Sequence, residues 1–304
     1  MGKIAFVFAG QGAQYSGMGK ELYEYSDAAK GIFDQIEDMR QGTKDQCFTG
    51  TKEELSITVN TQPCLFAVDL AIAEALKAEG IIPDAVAGFS LGEIPALTFS
   101  NIISLRQGFA LVCKRGEAMN DAAARNPGGM AAVLKLKPET VVSLCNEEAG
   151  TFPVNFNSPV QTVVAGKKDA LPSLIKAVKE AGGMAVPLAV SGAFHSPFMK
   201  EASLELETFL KDVSVEDAIY PVYANATARP YTKERCKELI TKQVVNPVLW
   251  QATVENMVEE GFDTFIEVGP GKTLSGLIKK IAPQASVYNV EKEDDLHRVL
   301  AELK

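Results

Sequence analysis

The chain has 304 residues, 46% of them hydrophobic and 23% charged, as expected for one or two globular domains with a substantial core. Its net charge of -9 argues against a nucleic-acid binder, because phosphate neutralisation needs clustered Lys and Arg and no such run occurs. Five scattered cysteines without a C-x-x-C pair and only two histidines exclude a disulfide framework and make a metal site improbable, and they fit a reducing, cytoplasmic setting.

In chain order, "KIAFVF" (3–8) predicts a first strand, and it runs into the Gly-rich loop "AGQGAQ". Its apolar part is too short for a signal-peptide core, and nothing later approaches the roughly 20 apolar residues of a membrane span. Helical spacing follows over 18–38 and 61–79, the latter closed by Gly80, and "DAVAGF" (84–89) predicts a second strand delivering Ser90 into a turn. Further helix extends to the break at "NPGG" (126–129). The rhythm then changes to strand 130–136, helix 138–149, strands 153–157 and 161–166, helix 168–182 and strand 184–190. That β-α-β-β-α-β order is the ferredoxin-like pattern, so residues 128–190 are expected to form a small domain inserted into a larger α/β domain made of 1–127 and 191–304. Alternation resumes with helix 197–211, strand 220–225, helices 232–243 and 250–260, strand 263–269, helix 272–281, strand 286–290 and a terminal helix.

Residues 88–92 read G-F-S-L-G, a G-x-S-x-G match at a strand-to-helix junction. Ser90 is read either as a nucleophile or as a cap of the following helix. A serine nucleophile needs a base and an oxyanion site. His297 lies on a charged terminal helix and reads as solvent-facing, whereas His195, in "SGAFHSPFM", sits where the small domain returns to the large one, a place where clefts form. Backbone N–H groups of Gln11 and Leu91 suit an oxyanion. The loop is not a dinucleotide fingerprint, because Tyr15 stands where a third glycine is needed. At about 100° per residue Arg115 borders the apolar face of its helix, so it is either a snorkelling surface arginine or a fork for a carboxylate.

Several motifs in order, "GQGAQ" (10–14), "GFSLGE" (88–93), "KRGEAM" (114–119), "NSPVQTVVAG" (157–166), "SGAFHSPFM" (191–199), "QVVNPVLW" (243–250) and "EVGPGKTLSGL" (267–277), resemble the malonyl-CoA:acyl carrier protein transacylase family of fatty acid and polyketide synthesis, over nearly the full length. The resemblance implies an α/β-hydrolase-like large domain with an inserted ferredoxin-like small domain, and a ping-pong transfer through a malonyl-serine. It implies Ser90 as nucleophile, His195 as base, and the backbone carbonyl of Gln243, with Asn246 as the alternative, orienting that base. It further implies Gln11 and Leu91 as oxyanion donors, Arg115 holding the malonate carboxylate, and Gln11, Phe194 and Asn157 contributing to substrate binding. The implied partners are malonyl-CoA and a phosphopantetheine-bearing carrier protein, with no cofactor, metal, membrane or nucleic acid, and the expected state is a monomer. Lys114, Lys167, Lys168, Lys279 and Lys280 are candidates for a basic patch facing an acidic carrier. The sequence departs from the family's usual "GHSLGE" by placing Phe89 where a histidine stands, so any polar contact of that histidine is absent or replaced. A polyketide transferase acting in trans, a serine thioesterase using His297, and a non-catalytic docking module are the competing readings.

Overall fold

The computed structural model describes residues 2–147, 149–190 and 192–303. Its strands are Lys3–Phe8 (β1), Ala85–Gly88 (β2), Gly128–Leu134 (β3), Thr151–Ser158 (β4), Gln161–Lys167 (β5), Met184–Pro187 (β6), Val222–Tyr223 (β7), Phe262–Val268 (β8) and Ser286–Val290 (β9). They form two sheets among the described residues. The first runs β7-β2-β1-β8-β9 with every pairing parallel. Its central strands read as unbroken apolar runs because helices cover both faces: Ala5–Phe8 and Ala85–Gly88 are fully buried.

The second sheet runs β4-β5-β3-β6 and is antiparallel throughout. β5 lies between β3 and β4, which are themselves joined through the helix Pro138–Leu144, so one βαβ unit is split by a strand of the next. The fold is therefore the expected α/β-hydrolase-like sheet carrying an inserted ferredoxin-like unit. A small core of its own, including Val133, Val141, Val164, Leu174 and Val178, backs the inserted sheet.

Two long helices set the frame for the serine. Thr58–Ala78 is buried nearly all round, as its weak amphipathicity requires, and Leu105–Arg125 packs against it. No helix among the described residues is long and apolar enough to cross a membrane.

Candidate active site

β2 ends at Gly88 and the chain turns into a short 3-10 segment, Ser90–Gly92, that leads into the helix Glu93–Phe99. The turn brings backbones so close that both glycines are steric requirements. A Cβ on Gly88 would lie 2.0 Å from the carbonyl carbon of Gly92, and one on Gly92 would lie 2.3 Å from the Phe8 carbonyl oxygen. Ser90 itself sits at φ 54 and His195 at φ 58, left-handed conformations that cost a non-glycine residue of order 1 kcal/mol or more. Strain at two residues that meet each other is the pattern of a functional site.

They do meet: Ser90 Oγ lies 2.6 Å from His195 Nε2, and His195 Nδ1 lies 2.9 Å from the Gln243 carbonyl oxygen. The carbonyl can only accept, so Nδ1 carries the proton and Nε2 is left to accept from the serine. His195 is 3% exposed, and its pKa is lowered to about 4, first by burial and then by the positive charge of Arg115; the Gln243 and Asn246 backbone groups oppose this. A neutral imidazole at physiological pH is the form a general base requires.

Arg115 is 1% exposed, which removes the snorkelling reading. Its Nη1 donates to Gln62 Oε1 at 2.8 Å, and its Nη2 donates to Gln243 Oε1 at 2.8 Å and to Ser90 Oγ at 3.2 Å. All three acceptors are neutral, and the buried Nε has no partner. Burial pushes the guanidinium pKa down to about 10, with Glu93 opposing, so it stays charged. Gln243 is thus a hub, since its Nε2 also donates to the Ser90 carbonyl at 2.6 Å.

Ser90, His195 and Arg115 open onto one pocket, whose other wall comes from the inserted sheet. Gln11, Gly12 and Phe194 line it, Phe194 at 5% exposure, while Leu91, the residue after Ser90, is buried and is not part of the lining. Asn155 and Asn157, two apart on β4 and so on one face, line it with buried Oδ1 atoms that lack partners. Phe89 lines it too, its ring T-shaped on Trp250 at 5.6 Å between centroids. The indole N–H of Trp250 is buried beside it without a hydrogen-bond partner. His297 is elsewhere engaged: its Nε2 pairs with the Tyr25 hydroxyl at 2.9 Å on the surface.

Sequence reasoning missed Gln62, Asn225 and Glu93. Only Glu93 stands out as a lone charge before an apolar run, "IPALTF"; Gln62 and Asn225 have polar neighbours in Asn60, Thr61 and Thr227, and all three are recognisable as functional only once their partners are known.

An α/β fold that sets a serine hydroxyl against a buried neutral histidine, beside a buried arginine whose hydrogen bonds go to neutral groups, is the arrangement of an acyl-transfer enzyme. Residues 5–294 match the model described as the acyl transferase domain, and the chain belongs to the malonyl CoA-acyl carrier protein transacylase family. It is 39% identical to the malonyl CoA-acyl carrier protein transacylase of Bacillus subtilis (strain 168), over 100% of this chain and 98% of that one. The crystal structure of the transacylase from Clostridium perfringens superposes with a TM-score of 0.95 at 38% identity, covering 99% of this chain and 97% of that one. A malonyl-transacylase solved in complex with its type II PKS acyl-carrier protein also gives 0.95, at 34% identity and 99% coverage of both chains.

Proposed function

We propose that the protein transfers a malonyl group from malonyl-CoA to the phosphopantetheine thiol of an acyl carrier protein, supplying extender units for fatty acid synthesis in the cytoplasm. The observation that carries this reading is Arg115: a buried, charged guanidinium whose hydrogen bonds go to neutral groups, one of them the Ser90 hydroxyl. A buried cation without an anionic partner is costly, and a ligand carboxylate beside the nucleophile would relieve it. A simple thioesterase has no use for that charge.

The steps are those of a ping-pong exchange. Ser90 Oγ attacks the malonyl thioester carbonyl while His195 Nε2 takes its proton, and the oxyanion is held by the N–H groups of Gln11 and Leu91. Collapse breaks the C–S bond, and His195 returns the proton to the departing CoA sulfur. The carrier's thiol then gives its proton to His195 and attacks the malonyl-serine ester, and Ser90 leaves with that proton. The Gln243 carbonyl keeps Nδ1 protonated throughout. Pairing of malonate with Arg115 cancels part of the field that depresses His195, so the base strengthens when the correct acyl group is bound. Asn157 and its neighbour Asn155 accept hydrogen bonds from the amide N–H groups of the pantetheine arm common to both substrates, and Phe194 limits room at the acyl α-carbon. The catalytic domain comprises 1–127 and 191–304 and the small domain 128–190, acting as a monomer.

The test is a panel of acyl-CoAs with wild type and Arg115→Ala. Loss of the charge-assisted fork should cost about 3 kcal/mol, roughly a hundredfold in kcat/KM, for malonyl-CoA and only a few-fold for acetyl-CoA. Equal losses on both would overturn the assignment of Arg115.

A further inference from the structure

We propose that Asn225 is a positioning residue for the nucleophile, its carboxamide standing in for the next peptide of β7 where β2 leaves the sheet. The inference rests on the reading of Ser90 above and concerns how that serine is held. β2 and β7 pair in parallel, Val86 with Val222 and Ala87 with Tyr223, and the Val86 N–H donates to the Pro221 carbonyl at 2.8 Å. Advancing that ladder by two residues at a time, the N–H and C=O of residue 225 should meet the C=O of Gly88 and the N–H of Ser90. The main chain of Asn225 does neither. Its N–H donates to Glu93 Oε2 at 2.6 Å and its carbonyl accepts from the Leu249 N–H at 2.9 Å.

The side chain makes the two missing bonds instead. Nδ2 donates to the Gly88 carbonyl at 2.6 Å, and Oδ1 accepts from the Ser90 N–H at 2.7 Å. Asn225 is 1% exposed, so water does not compete for these groups. The elbow therefore stays registered to the sheet on both sides of Phe89, although β7 has already turned away. Two consequences follow for the reaction. The Ser90 N–H is consumed, which leaves the Leu91 N–H as the donor from this turn. The left-handed conformation of Ser90 is held by hydrogen bonds rather than by packing alone: Asn225 bonds the two peptides that flank Phe89, and Gln243 Nε2 donates to the Ser90 carbonyl. Glu93 anchors the clamp from behind, since its other oxygen accepts from the Tyr231 hydroxyl.

Asparagine suits the position because it offers one donor and one acceptor in the planar geometry of a peptide. Aspartate keeps the acceptor for Ser90 and sets an oxygen against the Gly88 carbonyl. Alanine removes both bonds.

The experiment measures the rate of malonyl adduct formation from malonyl-CoA, without carrier, by intact mass in wild type, Asn225→Ala and Asn225→Asp, each checked by thermal unfolding. Hydrogen exchange of the peptide containing Ser90 is followed in wild type and in each folded variant. The expected result is a fall of about a hundredfold in the first-order acylation rate for alanine and a smaller fall for aspartate, because displacement of a reacting group by about 1 Å costs that much. Half-saturation by malonyl-CoA should stay within about twofold, because Arg115 is untouched. Faster exchange at the elbow should accompany the loss, and the wild-type Ser90 amide should be protected. The proposal is overturned by wild-type acylation rates in a folded variant, by a loss confined to half-saturation, or by an unprotected Ser90 amide in wild type, which needs no variant to observe. Absence of any adduct in wild type would instead sink the functional reading itself.

Discussion

His195 is the residue whose chemistry is most constrained by its surroundings. Burial and the Arg115 charge both disfavour its cation and hold its pKa near 4, well below the ordinary 6.5. With His195 as the proposed base, protonation on the acid side removes it, so acylation measured as the second-order rate with malonyl-CoA should hold its activity down to about pH 5 and fall only below it. Replacing Arg115 with methionine removes a positive neighbour and must shift that acid limb upward, which a pH-rate profile of the acetyl-CoA half-reaction will show. An unmoved limb would mean that burial alone sets the base. The pair Ser90 and His195 was legible in the sequence because G-x-S-x-G and the domain-junction histidine each carry a mechanical reason. Arg115 was ambiguous, since helical spacing put it at the border of an apolar face and only the packing of Thr58–Ala78 shows that the border is closed. Asn225 and Gln62 were illegible because their work is to bond groups far away in sequence.

At the scale of elements, the elbow depends on the closeness of three backbones, the ends of β1 and β2 and the start of Glu93–Phe99. Gly88→Ala would force a Cβ to within 2.0 Å of Gly92 backbone atoms, which no side-chain rearrangement can relieve. We expect a loss of about 3 kcal/mol, or roughly 5 °C in thermal midpoint, together with loss of acylation. An alanine variant with wild-type stability would contradict the packing described for the turn. Regular elements were read well: β1 occupies the predicted 3–8 and β9 the predicted 286–290. The single helix expected over 18–38 is two, Lys20–Tyr25 and Asp27–Met39, because Ser26 leaves the helix and caps the second through the Ala29 N–H. Helices Thr43–Thr49 and Lys52–Leu55 escaped notice because seven and four residues are too few to display a period. The strand expected over 220–225 shrinks to Val222–Tyr223, since beyond it the ladder passes to a side chain that no hydrophobic pattern reveals.

The whole molecule sets its pocket between two sheets of different origin. The alternation of elements foretold both sheets, but nothing in it said which face of the inserted sheet would meet the serine; that follows from Asn155, Asn157, Met130 and Val163 pointing into the pocket. A chain of net charge -9 would need a local positive surface to bind an acidic carrier. Of the candidate lysines, Lys114 is committed to Glu205 at 2.7 Å, while Lys279 and Lys280 are exposed on the helix Thr273–Ile281 whose Thr273, Leu274 and Leu277 line the pocket. Reversing both to glutamate should raise KM for the carrier about tenfold, more at low salt, with acylation by malonyl-CoA unchanged. An unchanged carrier KM would move the docking surface elsewhere. The proposed transfer requires a covalent intermediate at one serine. Incubation with malonyl-CoA alone, followed by mapping of the modified peptide, should place a malonyl ester on Ser90 in wild type and in His297→Ala. It should show none in Ser90→Ala and at most a trace in His195→Ala, and the wild-type adduct should disappear when a carrier bearing phosphopantetheine is added. An adduct that persists in Ser90→Ala, or acylation that depends on His297 and not on His195, would contradict it.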